Sequence, residues 1–207
     1  FDFDSSIERK NPLAVVLAFQ DAFRVDENVE LVVKTSNVSP QHWSNAWKQW
    51  EHMLGASAGD KRIRIVNQRY SNEDMVALVR DADCVVSLHR SEGFGYLMSD
   101  AMTFGTPVIA TGYSGNADFA TAETAYPVAY KLIPVPDGAA RWQCEGAVWA
   151  DADVADAARQ MRVVFDNYDA ARAKAALART SIAEKYSRDA FGKTLKARMD
   201  AIRKTLG

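Results

Sequence analysis

The stretch from His89 to Ala110 reads HRSEGFGYLMSDAMTFGTPVIA, and it decides the fold of this chain. Two short apolar runs, Cys84–Leu88 just before it and Pro107–Ala110 at its end, are rich in residues that favour strands. A glycine-containing turn and a segment with helical spacing lie between these runs. The order strand, turn, helix, strand is a βαβ unit, and such units build parallel sheets covered by helices. We therefore predict an α/β fold.

The segment after the glycine turn has the spacing of a short amphipathic helix. Leu97, Ala101 and Phe104 lie at i, i+4 and i+7, which predicts one apolar face. Gly105 is expected to end the helix, because glycine is common just past helix ends, and Pro107 prevents its continuation.

Other segments continue the α/β pattern in both directions along the chain. Asn11 and Pro12 predict a helix start, with Asn11 as the cap and proline at the first helical position. Before them we predict a first strand and then a loop, at Phe1–Asp4 and Ser5–Pro12. Further strands are predicted at Val29–Lys34, Ile63–Val66, Ala125–Tyr130 and Leu132–Val135. Three C-terminal helices are predicted at 153–166, 170–185 and 187–206.

The glycine turn has the composition of a binding site for an anion with several hydroxyls. Gly93 and Gly95 allow the backbone to approach a ligand closely, and the free N–H groups of the following helix favour an anion. Glu92 lies in the turn, and Asp100 lies about one turn inside the helix, so that seven residues separate the two carboxylates. Two such acceptors suit a nucleotide sugar. Chemistry alone supports equally well that both carboxylates only stabilise the positive end of a crossover helix.

These residues also carry a family resemblance. The segments Ser91–Leu97, Asp100–Met102 and Gly105–Thr111 resemble the donor-site signature of the retaining glycosyltransferases of family four. Those enzymes have the GT-B fold, in which two Rossmann-like domains face each other across a cleft, and the signature lies in the C-terminal, donor-binding domain. The resemblance implies a Rossmann-like, doubly wound parallel sheet that forms one half of a GT-B fold.

The resemblance also implies roles for the two carboxylates. Glu92 would be the catalytic-site residue that holds and orients the donor sugar, and Asp100 would hold the ribose hydroxyls. Asp100 is a departure, since the family usually has a glutamate there, one methylene longer. The turn and the helix start would complete the donor site with Gly93, Phe94, Gly95, Tyr96 and Leu97.

Arg9 and Lys10 form a basic pair just before the helix that starts at Pro12. Taken alone, two adjacent cations are more often a solvated basic pair than a phosphate site. The resemblance implies that a basic residue after the first strand binds the donor phosphates, and Lys10 occupies that place, with Arg9 as second choice. The arginine that the family commonly has earlier in this loop is absent, and Ser5 and Ser6 stand in its region.

Two further loops are implied to complete the pocket. In the family the loop after the third strand lies over the nucleotide base, which assigns Gln68 and Arg69 to the base. The loop that closes the sugar end usually reads Gly-Gly-x-Pro-Glu, and here it is replaced by Ser114–Asp118.

Composition limits the other classes of function. The 207 residues carry a net charge of −2 and are 48% hydrophobic, which fits one globular domain and gives no electrostatic reason to expect nucleic acid. His42 and His52 lie ten residues apart without further ligands nearby, and Asp81 and Asp83 lie away from the predicted ligand edge. We therefore expect no metal and no cofactor beyond the nucleotide-sugar substrate.

We interpret residues 1–207 as the donor-binding domain of a glycosyltransferase that transfers a hexosyl group from a GDP- or UDP-linked sugar. The acceptor would be a glycan, polysaccharide or lipopolysaccharide, and the resemblance to one half of a GT-B enzyme implies that it binds through an N-terminal domain. The sequence begins at Phe1 without methionine, from which we expect the chain to be an excised fragment without that domain. The fragment alone is then expected to be inactive. A nucleotide-sugar epimerase of GT-B architecture and a non-catalytic nucleotide-binding module are the alternatives.

The cellular place of the protein is a separate expectation. No apolar run is long enough to cross a bilayer, so we expect a cytoplasmic protein. The last helix has lysines and arginines on its polar face, which allows peripheral contact with the inner face of the membrane. A solvated polar face on a helix packed against the sheet is the favoured interpretation.

Overall fold

The computed structural model describes residues 1–39, 44–139 and 145–206. Its α-helices are α1 (Ile7–Lys10), α2 (Pro12–Ala22), α3 (Ser44–Ser57), α4 (Asn72–Arg80), α5 (Tyr96–Phe104), α6 (Val154–Asp166), α7 (Tyr168–Tyr186) and α8 (Arg188–Leu206). Its strands are β1 (Leu31–Thr35), β2 (Ile63–Asn67), β3 (Val85–Ser87), β4 (Val108–Thr111), β5 (Tyr126–Val128), β6 (Tyr130–Pro134) and β7 (Val148–Ala152). Short 3-10 helices cover Phe3–Ser5 and Gly115–Asp118.

The strands pair in three groups. β1 and β2 are parallel, and β3, β4 and β5 form a parallel sheet with β4 in the centre. β6 and β7 form an antiparallel hairpin. The predicted unit of strand, glycine turn, helix and strand is present as β3, α5 and β4.

Helices cover both faces of the parallel sheet. Val86 of β3 and Ile109 of β4 pack into an apolar core with α2 and α6. The alternate residues of the same strands pack against α5 and α7 in a second core. Because successive strand residues point to opposite faces, these two cores show helices on both sides of the sheet, as in a doubly wound α/β domain. The predicted fold class is confirmed.

The N-terminal predictions need correction. Phe1–Asp4 does not form a strand of its own, because it makes one isolated parallel bridge, from Asp2 to Ser36, and then turns into a 3-10 helix. Ser5–Pro12 is not a simple loop, since it contains α1. Asn11 precedes Pro12 as predicted, but its side chain donates to the Leu88 carbonyl (3.0 Å) and makes no cap bond. That contact fixes the start of α2 to the end of β3.

The apolar face of α5 also differs from the prediction. Met98, Ala101 and Met102 are buried, whereas the predicted Leu97 is 40% exposed. The helix therefore packs through the face one residue further along, where it contacts α7. Of the predicted face, Ala101 is buried and Phe104 packs partly buried against the same core, so only Leu97 departs from the prediction.

Two C-terminal features were not evident in the sequence. β7 was not predicted, because its register depends on pairing with β6 across a long connection. α8 packs on α7 but leaves Phe191 67% and Leu195 48% exposed, so its apolar residues are not buried against the sheet as expected. No helix in the described part of the chain is both long and apolar enough to cross a membrane.

The parallel strands place two loops side by side. β3 and β4 end at Ser87 and Thr111, and the loops that follow leave the same edge of the sheet. In open α/β sheets this carboxyl edge is where ligands bind.

Candidate functional site

The loop after β3 is held by its backbone to two other elements. The Arg90 N–H donates to the carbonyl of Arg9 (2.7 Å), next to the end of α1. The Arg90 carbonyl accepts from the N–H of Ala150 (2.9 Å) in β7. The loop is thus fixed between α1 and the hairpin before it reaches Glu92.

The structure brings Arg9, Lys10 and Glu92 together across 82 residues of sequence. The Lys10 ammonium donates to Oε1 of Glu92 (2.5 Å), and Nη1 of Arg9 lies 3.4 Å from Oε2. The guanidinium of Arg9 also donates to the carbonyls of Ser91 (2.7 Å) and Ser5 (3.1 Å). Lys10 therefore has Glu92 as its ionic partner, whereas Arg9 in addition anchors two loops.

Charge in this cluster is compensated. Burial raises the pKa of Glu92, but the hydrogen bond from Lys10 and the charges of Lys10 and Arg9 outweigh it, so the pKa lies below its usual value. Glu92 is consequently a carboxylate at neutral pH. Its side chain is 15% exposed and that of Lys10 is 24% exposed, so a ligand can reach both from solvent.

The helix α5 begins directly after this cluster, at Gly95. Gly95 has φ +96°, a conformation that favours glycine, and its carbonyl accepts from the N–H groups of Met98 and Ser99. The first turn of α5 contains no acidic residue, so no side chain of the helix itself neutralises its positive end. Lys10 and this helix end are both positive features beside Glu92.

A second turn holds the peptide group of Glu92 from the other side. The Ser114 hydroxyl accepts from the Glu92 N–H (2.8 Å), and the Gly115 N–H donates to the Glu92 carbonyl (3.1 Å). A Cβ on Gly115 would lie 2.0 Å from the carbonyl oxygen of Gly93, so only glycine permits this approach. The backbone position of Glu92 therefore depends on the loop after β4.

Asp100, Tyr96 and Leu97 lie on α5 near this cluster in sequence, and all three are exposed. Burial raises the pKa of Asp100, and Tyr96 is 75% exposed. Phe94 instead packs its ring against those of Tyr96 and Phe119, at centroid distances of 5.3 and 5.0 Å. A ligand at this edge would thus meet the backbone of Phe94 rather than a free ring.

Gln68 and Arg69 are exposed beyond the end of β2. The Gln68 N–H donates to the carbonyl of Thr35 (3.1 Å). Within the described residues, no hydrogen bond or ion pair joins either side chain to Lys10 or Glu92. The two residues therefore stand apart from the charged cluster, and their role toward a base stays a prediction.

Arg90 has a structural role that the sequence left undecided. Its guanidinium donates to Oδ1 of Asp151 (2.9 and 3.1 Å) and to the carbonyl of Glu8 (2.6 Å). Asp151 is not part of the cap of α6, because Asp153 is that cap and accepts from the Asp156 N–H (3.0 Å). Asp151 instead links the hairpin to the loop of Glu92.

Sequence reasoning missed the buried support of the site. His89 is fully buried below the loop and contacts Asn116, which is also fully buried. A signal was present, because a histidine and an asparagine occupy positions where two strands end at the same edge. Only their pairing in space could identify them.

No group of three or more histidines, cysteines or acidic residues within residues 1–39, 44–139 and 145–206 is arranged to hold a metal ion. The positive charges beside Glu92 come from Lys10 and Arg9. Positions His42 and Cys144 lie outside the described residues.

Comparison with known families matches this chain to a glycosyltransferase family. The model described as Family 4 Glycosyltransferase in conflict systems matches residues 7–195. This range contains Lys10, Glu92, Asp100 and the loop Ser114–Asp118. No curated protein matches the chain by sequence.

Solved structures with a similar fold include a glycosyl transferase group 1 family protein, a protein in complex with UDP and a sucrose-phosphate synthase. The C-terminal domain of LpcC, a glycosyl transferase group 1 family protein from Francisella tularensis, has a TM-score of 0.64 and 16% identity and covers 87% of this chain and 81% of its own. Anabaena HepE in complex with UDP has a TM-score of 0.70 and 13% identity, and the match covers 97% of this chain and 48% of HepE. Sucrose-phosphate synthase from Thermosynechococcus elongatus has a TM-score of 0.66 and 19% identity. The match covers 95% of this chain and 43% of the synthase.

These similarities show the fold. They confirm the prediction of a Rossmann-like domain of the GT-B kind. The chain spans less than half the length of HepE and of the sucrose-phosphate synthase, but most of the isolated LpcC domain.

Proposed function

The chain belongs to the family 4 glycosyltransferases in conflict systems, and we propose from this premise that it is the donor-binding domain of a retaining enzyme. The reaction transfers a hexosyl group from a nucleotide sugar to a glycan, polysaccharide or lipopolysaccharide acceptor. One observation supports this most directly. Lys10 and Glu92, predicted to bind the phosphates and the sugar, form one cluster at the carboxyl edge of the sheet.

The diphosphate would bind between Lys10 and the start of α5. An ammonium group and the free N–H groups of a helix start both favour a phosphate. In the structure Lys10 forms an ion pair with Glu92. A diphosphate that binds here would replace Glu92 as the counter-ion of Lys10. This exchange leaves the carboxylate of Glu92 with free acceptor positions.

Glu92 would then orient the sugar. A carboxylate with free oxygens accepts hydrogen bonds from sugar hydroxyls, and its peptide is fixed on both sides by Ser114 and Gly115. A fixed acceptor holds the anomeric carbon in place while the bond to the diphosphate breaks. Asp100, exposed on α5, is the residue proposed for the ribose hydroxyls.

The leaving diphosphate gains negative charge as that bond breaks. Lys10 and the start of α5, whose first turn has no acidic residue, are positive features next to it and stabilise that charge. Because the chain supplies these charges itself, we propose that donor binding needs no metal.

UDP is the first nucleotide to test, because the similar structure of HepE contains UDP. A GDP-linked sugar is the second, since the residues proposed for the base, Gln68 and Arg69, suit either base. We propose that the acceptor binds to a separate domain, so the isolated chain binds donor but does not transfer the sugar.

Lys10→Met is expected to weaken UDP binding about tenfold or more, since a charged hydrogen bond to phosphate is worth roughly 1.5–3 kcal/mol. The variant also leaves Glu92 without its nearest cation, and this repels the diphosphate further. Calorimetric titration of the chain with UDP and GDP measures the effect.

The matched control for this variant is Lys61→Met, because Lys61 is an exposed lysine that precedes β2. It is expected to bind like the wild type. An equal loss of UDP affinity in both variants would show that the effect comes from the lower net charge alone. Unchanged UDP binding in Lys10→Met would contradict the proposed contact of Lys10 with the phosphates.

A further inference from the structure

His89 is a fully buried histidine whose two ring nitrogens both have partners. Nδ1 lies 3.0 Å from the Ser87 hydroxyl, and Nε2 lies 2.8 Å from Oδ1 of Asn116 and 3.3 Å from the carbonyl of Tyr113. Burial lowers the pKa of His89, so the ring is neutral at pH 7. It is therefore shielded from solvent and has a defined set of neighbours.

The partners determine which nitrogen carries the proton. The amide nitrogen of Asn116 donates to the Thr111 carbonyl (2.9 Å), so Oδ1 of Asn116 faces His89 as an acceptor. Nε2 must then be the donor, and Nδ1 accepts from the Ser87 hydroxyl. A neutral ring with its proton on Nε2 satisfies every group in this set.

The same set is connected to Glu92. Asn116 directly follows Ser114 and Gly115, the two residues that bond the N–H and the carbonyl of Glu92. His89 lies three residues before Glu92 on the opposing loop. The His89–Asn116 bond therefore ties the two loops together below the point where they hold the peptide of Glu92.

We propose that His89 is the positioning residue for Glu92, acting through Asn116 and the Ser114–Gly115 turn. It is not a catalytic residue, because it is fully buried and both ring nitrogens are engaged within the protein. The bond that matters is the one from Nε2 to Asn116, and the contact with Ser87 serves only to orient the ring. The inference rests on the proposed function in so far as Glu92 holds the donor sugar.

Two substitutions separate the two ring contacts. His89→Gln places an amide nitrogen at about the reach of Nε2 and keeps a donor toward Asn116. His89→Asn places its amide at about the reach of Nδ1, keeps the contact with Ser87 and loses the contact with Asn116. Both variants introduce a neutral amide, so they form a matched pair.

Amide hydrogen exchange of the ligand-free chain tests the positioning. In His89→Asn, exchange of the Glu92 and Gly115 N–H groups is expected to rise about tenfold or more, because their bonds to the Ser114 hydroxyl and to the Glu92 carbonyl open more often. In His89→Gln it is expected to stay within about threefold of wild type. The amides of Val108 and Ile109 in β4 serve as the reference for the rest of the fold.

Three outcomes would overturn the inference. Unchanged exchange at Glu92 and Gly115 in His89→Asn would show that the His89–Asn116 bond does not hold the two loops together. Equal acceleration at Val108 and Ile109 would show a general loss of stability instead. A long-range nitrogen NMR spectrum of the wild type that puts the proton on Nδ1 would contradict the assigned bond to Asn116.

A binding measurement then separates this inference from the proposed function. UDP and UDP-glucose are titrated into the wild type and both variants. The additional affinity that glucose provides is expected to fall at least fivefold in His89→Asn and to persist in His89→Gln, while UDP affinity stays constant. If the wild type binds neither ligand, the proposed function fails for uridine donors, but the exchange experiment still decides the role of His89.

Discussion

Gly115→Ala is expected to lower Tm by about 10 °C and to abolish binding of the donor sugar. A Cβ on Gly115 would lie 2.0 Å from the carbonyl oxygen and 2.5 Å from the carbonyl carbon of Gly93. Both are backbone atoms, which cannot rotate away as the end of a side chain can. One of the two loops must therefore move, and the bonds between Gly115, Ser114 and Glu92 break with it.

The size of this effect follows from overpacking. Forcing additional atoms into a closely packed site costs roughly 3 kcal/mol, and each kcal/mol lowers Tm by about 2–4 °C in a chain of this size. Calorimetric unfolding of the chain measures Tm, and titration with UDP-glucose measures the loss of sugar binding.

Gly93→Ala is the matched control for stability. A Cβ on Gly93 would meet no atom within 4 Å, so this substitution is expected to leave Tm within about 1 °C of wild type. A wild-type Tm in Gly115→Ala would show that the two loops do not approach each other as the structure describes.

Glu92→Gln, measured together with the acceptor domain proposed above, is expected to reduce sugar transfer about 100-fold or more, while UDP binds at least as tightly as before. The two effects have opposite directions because Glu92 has two partners. The carboxylate would orient the sugar, so its loss misplaces the reacting carbon. It also neutralises Lys10 and Arg9, so its loss frees both cations for the diphosphate.

Transfer from the donor that the wild type binds gives kcat, and calorimetry on the same protein gives the affinity for UDP. The matched control is Glu123→Gln, which removes an exposed carboxylate and is expected to change neither quantity. If Glu92→Gln weakened UDP binding as much as Lys10→Met, Glu92 would not compete with the diphosphate for Lys10. If kcat were unchanged, the proposed role of Glu92 toward the sugar would be wrong.

The sequence was sufficient for the local pattern of the domain. The apolar runs around His89–Ala110 and the glycine turn between them predicted β3, α5 and β4, because strand and helix periods are properties of short segments. The end of α5 before Pro107 followed from the chemistry of single residues. Glu92 and Lys10 were predicted as site residues through the resemblance of short motifs, and this role stays a prediction.

Prediction failed where packing between segments chose among local alternatives. Phe1–Asp4 has the alternation of a strand, but only Asp2 finds a strand partner, at Ser36. α5 was expected to bury Leu97, yet contact with α7 selected the face of Met98 and Met102. A helix offers several similar apolar faces, and only the neighbouring element decides between them.

For the charged cluster, the sequence predicted the residue types but not that they lie next to each other. Residue type and motif placed a cation at Lys10 and a carboxylate at Glu92, but the fold brings them together across 82 residues. Only the tertiary structure shows that Arg90 is hydrogen-bonded to Asp151 and His89 to Asn116. The physical reason is that hydrogen bonds and ion pairs depend on distances of about 3 Å, which sequence periodicity does not encode for residues on different elements.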